Sequence, residues 1–298
     1  MSIENLQFKT IAVATDLSDA SSTALRYAQS IARTYQSTLV LVHVIDPLAY
    51  AFPDGAPAFL AANKAAREEL DKIEEEARSQ GIAVHSVVES GVVCERILQS
   101  AHGHHADLLV LGTRSRTQAG RVALGTVARQ LLARAQCPIM TISPEAAVSM
   151  PWAGRCRRVL AATDFSTASI AGLRFAHRIA TRELIALHVS RGQDERGCWH
   201  CLEKLRYLAP FNESHTVPVE HVVVSGDAGE RIAEYAEKMS ADLVVLGSPV
   251  EELAEEDMHT STVLQVISSV ACPVLCVPFA KEAGKDEMRH EMATAART

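Results

Sequence analysis

The sequence repeats itself once, and this duplication constrains the fold more than any other feature. The segment TIAVATDLSDASSTALRYAQSIA, beginning at Thr10, matches RVLAATDFSTASIAGLRFAHRIA, beginning at Arg158. Further along, ADLLVLGT matches ADLVVLGS, and CPIMTI matches CPVLCV. Chance does not place several matched segments in the same order, so the chain is a tandem duplication of one unit.

Each copy alternates apolar strands with amphipathic helices. In the first copy the pattern predicts strands at about 9–15, 39–45, 82–89, 107–111 and 139–142, and helices at about 20–35, 63–79, 93–104 and 126–135. This alternation is typical of a parallel sheet covered by helices on both faces. We therefore predict two tandem, doubly wound, five-stranded α/β domains of the Rossmann-like kind.

The predicted division of the chain follows the repeat. We expect a nucleotide-competent domain at 1–144, a linker at 145–155, a second domain at 156–280 and a flexible tail at 281–298. The first copy spends about ten additional residues after its second strand, in DPLAYAFPDGAPAFL, which we expect to be a loop. The second copy has RGQDERGCWHC in its place.

Charge and cysteine content exclude several classes of protein. The formal net charge of -7 gives no reason to expect a surface for nucleic acid or membrane. No apolar run approaches the roughly 20 residues of a membrane span. The chain has an odd number of cysteines, seven, and most lie in predicted strands or helices. We therefore expect reduced thiols and a cytoplasmic location.

A long basic loop after the fourth strand is the first candidate site. Asp16 ends the first predicted strand and Gly112 ends the fourth, so both face the crevice where parallel α/β sheets bind ligands. Gly125 and Thr126 then open a helix, whose exposed N–H groups favour a phosphate. The loop also carries three arginines, at Arg114, Arg116 and Arg121. Gly112 alone is more often a turn glycine; together these residues favour a nucleotide.

These motifs resemble those of the universal stress protein family in its tandem form, over nearly all of both copies. The family's ATP-binding members carry G-x-x-G-x9-G-[ST] after the fourth strand and an aspartate ending the first. Gly112, Ser115, Gly125 and Thr126 fall at that spacing. Serine replaces the second glycine of the motif at Ser115, so we expect binding to be weakened or altered rather than lost.

The resemblance implies the function and the site. Asp16 and Val44 would flank the adenine and ribose of ATP or ADP, and Gly112, Gly125 and Thr126 would hold the phosphates. The chain would be a nucleotide-binding regulatory protein of the stress response with an unknown regulatory protein partner. Family members dimerise through their last strands, so the copies are expected to form an intramolecular pseudo-dimer, with a further homodimer left open.

The second copy departs much further from the motif. Gly247 remains, but Val250 and Thr260 occupy the two later glycine positions, while Ser261 keeps the hydroxyl group. The intervening loop carries five acidic residues and no lysine or arginine. Like charges repel strongly in a poorly solvated crevice. We therefore predict no nucleotide site, or a strongly weakened one, in this copy.

The segment GCWHC leaves three interpretations open. Cys198 and Cys201 can be reduced thiols on an exposed turn. They can be a redox pair at the start of a helix. They can also bind zinc together with His200 or another nearby histidine. No second paired cluster accompanies them, so the signal for zinc is incomplete.

An enzyme that uses ATP on a related fold is the alternative class. The chain lacks the P-loop, the S-G-G-x-D-S loop of adenylating enzymes and a G-x-S-x-G elbow. His43 and His188 lie within apolar strands, where core histidines are more common than catalytic bases. Slow ATP hydrolysis stays open, but no residue stands out as its base. We predict that the chain is not primarily a catalyst.

Overall fold

A computed structural model describes most of the chain as one sheet flanked by helices. The described residues are 8–52, 55–113, 124–144, 146, 156–190, 192, 195–210, 217–249 and 261–279. Arg114, Ser115 and the rest of the basic loop up to residue 123 lie outside them, as do the acidic loop at 250–260 and the C-terminal segment from residue 280.

The described residues of the first half form five strands, four helices and a short 3₁₀ helix. The strands are β1 (Thr10–Ala14), β2 (Thr38–Ile45), β3 (Ala83–Ser90), β4 (Leu108–Gly112) and β5 (Ile139–Ile142). The helices are α1 (Asp19–Tyr35), α2 (Gly55–Ser79), α3 (Val93–Gly103) and α4 (Thr126–Arg134), with the 3₁₀ helix at Pro47–Tyr50.

The second half repeats the pattern. Its strands are β6 (Cys156–Ala162), β7 (Ala180–Ser190), β8 (Val219–Ser225), β9 (Leu243–Pro249) and β10 (Val274–Phe279). Its helices are α5 (Thr167–Ile179), α6 (Glu195–Leu208), α7 (Ala228–Lys238) and α8 (Thr262–Ser269).

The strand order confirms the predicted doubly wound fold. The sheet runs β3-β2-β1-β4-β5-β10-β9-β6-β7-β8. Within each half every neighbouring pair is parallel, and each half has the order 3-2-1-4-5 counted from its own first strand. Parallel strands require crossover connections, and here helices form them.

The two halves join through their last strands. β5 and β10 pair antiparallel, with Val274 opposite Thr141 and Cys276 opposite Ile139. The Thr141 hydroxyl also donates a hydrogen bond to the carbonyl oxygen of Val274, at 3.3 Å. All four residues of β5 are buried, so this seam belongs to the core of the molecule.

Helices cover the sheet on both faces and divide the core into two layers. One layer contains buried side chains from α1, α2, α5 and α6, such as Tyr27 and Leu205. The other contains side chains from α3, α4, α7 and α8, such as Ile97 and Leu264. Strands covered on both faces are expected to be apolar without alternation, as β4 and β9 are.

The segment after β2 corrects one expectation. DPLAYAFPDGAPAFL was predicted to be a loop, but the 3₁₀ helix occupies its start and α2 begins at Gly55. The Tyr50 and Phe59 rings meet edge to face, with centroids 5.8 Å apart. Pro57 suits the first turn of a helix, because the N–H that it lacks has no partner there. The additional residues therefore extend a helix rather than a loop.

Candidate functional site

The sheet has a crevice at its topological switch point, where the connections after two neighbouring strands run to opposite faces. Ala14 of β1 pairs with Val42 on β2 and with Leu111 on β4. After β1 the chain enters α1, which packs on one face, whereas after β4 it enters α4, which packs on the other. Diverging helices leave a crevice at the carboxyl ends of these two strands, where doubly wound folds bind their ligands.

Asp16 lies at this crevice and is held by its own turn. Its Oδ1 accepts hydrogen bonds from the Ser18 backbone N–H at 3.1 Å and from the Ser18 hydroxyl at 2.5 Å. Partial burial raises the pKa of the Asp16 carboxyl, but hydrogen bonds from Ser18 and Ser21 outweigh it, and the net pKa is lowered. The group is therefore a charged hydrogen-bond acceptor at neutral pH.

The serines that hold Asp16 are missing from the set of residues that we predicted from the sequence. Ser18 caps α1 by accepting from the Ser21 N–H, and the Thr15 hydroxyl donates to Ser21 Oγ at 3.0 Å. Leu17 adopts a positive φ of 63° between them. The signal was present, since both copies carry Asp-x-Ser-x-x-Ser after the first strand.

Val44 and Gly112 lie on the strands that flank Asp16. Val44 is two residues beyond Val42, as Asp16 is two beyond Ala14, and it packs against the core layer of α3 and α4. Gly112 ends β4 and pairs with Ile142. Asp16 follows the end of β1 by two residues, Val44 is the last but one residue of β2, and Gly112 ends β4, so all three lie near the carboxyl ends of adjacent strands. Arg114 and Ser115 lie outside the described residues.

The start of α4 has no capping side chain. Gly125 is the N-cap, with φ −68° and ψ 158°, and Thr126 is the first helical residue and is exposed. Three other helices use their N-cap side chain as an acceptor, Ser18 for α1, Ser166 for α5 and Asp227 for α7, whereas the N-caps of α3 and α8 make no such bond. Among the described residues, the first N–H groups of α4 likewise receive no N-cap side chain, and such groups can bind an anion.

The second half repeats the aspartate turn. Asp164 accepts a hydrogen bond from the Ser166 N–H at 2.9 Å. Burial raises the pKa of the Asp164 carboxyl, but hydrogen bonds from Ser166 and Ser169 outweigh this effect, and the net pKa is lowered. Phe165 has a positive φ of 66°, like Leu17. Since both halves build this turn, it is part of the fold, and it cannot by itself distinguish a binding half from a non-binding one.

The glycine that ends β9 has a packing role. A Cβ atom on Gly247 would lie 2.1 Å from the carbonyl oxygen of Ala168 and 2.4 Å from the Ser169 nitrogen. The first turn of α5 therefore crosses β9 so closely that no side chain fits. Gly112 occupies the same place in the first half, where α1 packs on β4. This glycine is therefore common to both halves, and the difference between them lies at the start of the last helix.

The start of α8 also differs from that of α4. Ser261, which matches Thr126 in the repeat, is the N-cap of α8 and is 2% exposed, so the helix begins one residue later. Thr126 by contrast is exposed on the first turn of α4. The hydroxyl group is therefore presented to solvent in the first half and buried in the second.

Both strand histidines bond to backbone, as a core role requires. His43 Nδ1 lies 2.9 Å from the Thr15 carbonyl oxygen, and His188 Nδ1 lies 2.8 Å from that of Thr163. A carbonyl oxygen only accepts, so Nδ1 carries the proton in each ring. These contacts tie β2 to the end of β1 and β7 to the end of β6.

The GCWHC segment is helical rather than a turn. Cys198, His200 and Cys201 lie in the first two turns of α6, and both thiols are partly exposed. Within the residues that the structure describes, no group of three or more histidine, cysteine, aspartate or glutamate side chains could hold a metal ion. His221, a histidine of the neighbouring strand β8, instead donates to the Ala209 carbonyl oxygen at 2.7 Å. Zinc gains no support here.

An open groove of about 510 Å³ lies at the opposite end of the first half. The ends of α3 and α4 form it, and its lining includes His102, His105, Arg134 and Cys137. It contains none of the residues predicted to bind a nucleotide or a metal, so it is separate from the candidate site.

The described helices include none that is long and apolar enough to cross a membrane. Taken together, the fold and the described residues of the site define a tandem, doubly wound α/β protein in which a glycine is the N-cap of the helix that follows β4. The sequence pattern of the universal stress protein family matches residues 7–143 and 201–278. These regions exceed half of the chain, and the chain belongs to that family.

Individual relatives agree with this assignment. A universal stress protein of Methanocaldococcus jannaschii is 30% identical over 143 residues, which cover 47% of this chain and 84% of that protein. Another, of Thermus aquaticus, encoded in the 3′ region of a sulfhydrylase, is 34% identical over 139 residues, which cover 45% of this chain and 98% of that protein.

A solved structure spans both halves. The crystal structure of a universal stress protein from Archaeoglobus fulgidus aligns with a TM-score of 0.72 and 19% identity, covering 92% of this chain and 99% of that one. At this identity the likeness supports the fold of the whole molecule and carries no information on ligands.

Proposed function

We propose that the chain binds one adenine nucleotide, ATP or ADP, in its first half and acts as a regulatory protein of the stress response. The observation that carries this proposal is the uncapped start of α4 at Gly125, beside the crevice between β1 and β4. A nucleotide phosphate would accept the N–H groups that no N-cap side chain accepts. The exposed Thr126 hydroxyl would add a donor.

The surrounding residues fit the remainder of such a ligand. The ionised Asp16 carboxylate can accept hydrogen bonds from ribose hydroxyls, and Val44 offers apolar surface for the base. Gly112 leaves room at the end of β4. We also assign Arg114 and Ser115 to the phosphate site, Ser115 because it falls at the spacing of the family motif and Arg114 because the three arginines of the basic loop would attract the ligand's negative charge.

The second half is proposed not to bind a nucleotide. Its counterpart of Gly125 is Thr260, its counterpart of Thr126 is the buried Ser261, and its loop is acidic instead of basic. Its aspartate turn and Gly247 are retained, but they have structural roles that need no ligand. We also propose that the β5–β10 pairing makes the chain an intramolecular pseudo-dimer.

A matched pair of variants tests the assignment. Gly125→Glu places a carboxylate at the start of α4, where it would occupy and repel the phosphate position, and titration calorimetry with ATP and with ADP should detect no binding. Thr260→Glu makes the same change at the matching position of the second half and should leave the affinity within about twofold. Binding that survives Gly125→Glu, or that Thr260→Glu removes, would overturn the proposal.

A further inference from the structure

The seven cysteines fall into two chemical groups. Burial raises the pKa of five thiols, to about 11 for Cys137 and about 12 for Cys272 and Cys276, with Cys94 and Cys156 also raised. Because the thiolate is the nucleophile, these five are poorly reactive at neutral pH. Cys198 and Cys201 are partly exposed, as Cys137 and Cys272 are, but Cys198 and Cys201 are the pair that lies on one helix, α6.

The helix brings these two sulfurs onto one side. Residues three apart on an α-helix have Cα atoms about 5 Å apart, from the rise and radius of the helix. Disulfides form across Cα separations of about 4.4–6.8 Å. Cys198 and Cys201 also begin the inward stripe that continues through Leu205, which is fully buried. Their side chains therefore share one helix face.

A disulfide requires the two cysteine Cβ atoms to move closer together than in a regular helix, and the first turn of α6 can allow this movement. Cβ atoms three apart on a helix are about 5–6 Å apart, whereas a disulfide brings them to about 3.5–4.5 Å. The N–H groups of a first helical turn have no partners within the helix, so this turn moves at low cost. Gly197 directly precedes Cys198 and is a weak helix former.

We propose that Cys198 and Cys201 form a reversible thiol–disulfide site that is oxidised by low-molecular-weight disulfides such as oxidised glutathione. One protein thiolate attacks a glutathione sulfur, which forms a mixed disulfide and releases one glutathione thiol. The second protein thiolate then attacks the protein sulfur of that bond and releases the other. Two protein thiols are oxidised to one disulfide, and one glutathione disulfide is reduced to two thiols.

Reversibility follows from the geometry. A disulfide that distorts its helix and is open to solvent has a higher reduction potential than a relaxed, buried one, so thiols reduce it readily. The site lies on the half that is proposed not to bind a nucleotide. One turn further along α6, the Lys204 Nζ atom lies 4.4 Å from the centre of the Phe165 ring. The helix α6 therefore contacts the residue that follows Asp164.

Trp199 gives the site its own reporter. It lies between the two cysteines, its side chain is 66% exposed, and a disulfide within a residue of an indole quenches its fluorescence. The sequence contains one other tryptophan, Trp152. A Trp152→Phe variant of the full chain therefore makes the emission specific to this segment.

The experiment equilibrates that variant with graded ratios of reduced to oxidised glutathione, traps free thiols by alkylation and identifies the products by mass spectrometry. We expect the peptide that spans both cysteines to lose two hydrogens, with a parallel fall in Trp199 emission that dithiothreitol restores. Cys198→Ser and Cys201→Ser should each stop at a glutathione adduct, while Cys137→Ser should respond like the parent.

Each contrary result counts against the site. The proposal is overturned if both thiols remain alkylatable at every glutathione ratio, or if either cysteine bridges to another cysteine of the chain or to a second chain. It is also overturned if the parent, like the single serine variants, stops at a glutathione adduct and forms no internal disulfide. The mass measurement on the parent chain does not depend on how well any cysteine variant folds, and none of these outcomes bears on nucleotide binding.

Discussion

Gly247 and its counterpart Gly112 show that one residue type at one position can have two explanations. The sequence motif attributes Gly112 to phosphate binding, whereas the packing of α5 over β9 requires Gly247 to lack a side chain. The sequence could not separate these roles, because the close approach depends on how a helix crosses a strand 75 or more residues away in the chain, as Ala168 and Gly247 do.

Replacing Gly247 with alanine should therefore destabilise the protein. The new Cβ atom would meet the Ala168 carbonyl oxygen at 2.1 Å, so α5 would have to move, at a cost of about 1–3 kcal/mol in the free energy of unfolding. Gly103→Ala is the control, because a Cβ there meets nothing within 4 Å. Urea denaturation that gives equal stabilities for the two variants would contradict this packing role.

Asp107 and Asp242 explain why both copies carry an aspartate directly before the fourth strand. Asp107 Oδ2 accepts from the backbone N–H groups of Lys9 and Thr10, and Asp242 Oδ2 accepts from those of Arg157 and Arg158. Each carboxylate thus holds the first strand of its half beside the fourth. The matched Ala-Asp pairs in the sequence showed the repeat, but their partners, about 85–98 residues away, could only come from the structure.

At the scale of elements, the edge strand β3 meets the end of α3 through two histidines. His85 Nε2 lies 3.4 Å from His104 Nδ1, and the ring centroids are 4.9 Å apart. Burial lowers the pKa of His85 below its usual 6.5, the charge of His104 and that of Arg78 lower it further, and Glu74 opposes them. The net pKa is lowered, so the fold favours neutral His85.

This contact makes stability depend on pH. As pH falls through about 6.5, the unfolded chain binds a proton at His85 before the folded chain does, so the free energy of unfolding decreases. In His85→Gln the loss of stability between about pH 7 and pH 5 should be smaller than in the parent. His102→Gln, at an exposed position of α3, is the control. Identical pH profiles for His85→Gln and the parent would contradict the assignment.

The boundaries of two elements could not be predicted from sequence. α2 was predicted from about residue 63 but begins at Gly55, and α6, for which no start was predicted, begins at Glu195. Proline, glycine and exposed aromatic residues disguise these first turns, and their helical state depends on contacts such as that of Tyr50 with Phe59. By contrast, the strands of the first half and α1, α3 and α4 lie within one or two residues of their predicted positions, because apolar runs mark the strands and amphipathic periodicity marks the helices.

At the scale of the molecule, the duplication was predictable because the two copies carry the same segments in the same order, and the alternation of strands and helices indicated a doubly wound sheet in each copy. The strand order itself came from the structure. The pairing of β5 with β10 was predicted from the family resemblance alone, since nothing in either strand specifies an antiparallel partner. The proposed linker at 145–155 stays a prediction, because most of it lies outside the described residues. The basic loop at 114–123 and the acidic loop at 250–260 also lie outside the described residues, so the roles of their charges stay predictions.

The internal seam predicts the oligomeric state. Because β5 and β10 already pair with each other and are buried, neither offers an edge to a second chain. We expect the full chain to sediment as a monomer at micromolar concentration in reducing buffer. A stable dimer under these conditions would show that the intramolecular pairing does not replace association between chains.

The number of nucleotides that one chain binds tests the central claim most directly. Calorimetric titration of the ligand-free, full-length protein with ATP, repeated with ADP, should give a stoichiometry of about one for whichever nucleotide binds. The described start of α4 combines a glycine N-cap with an exposed Thr126, whereas the start of α8 has a buried Ser261. Two equivalent sites per chain, or one site that Gly125→Glu leaves intact, would contradict the account.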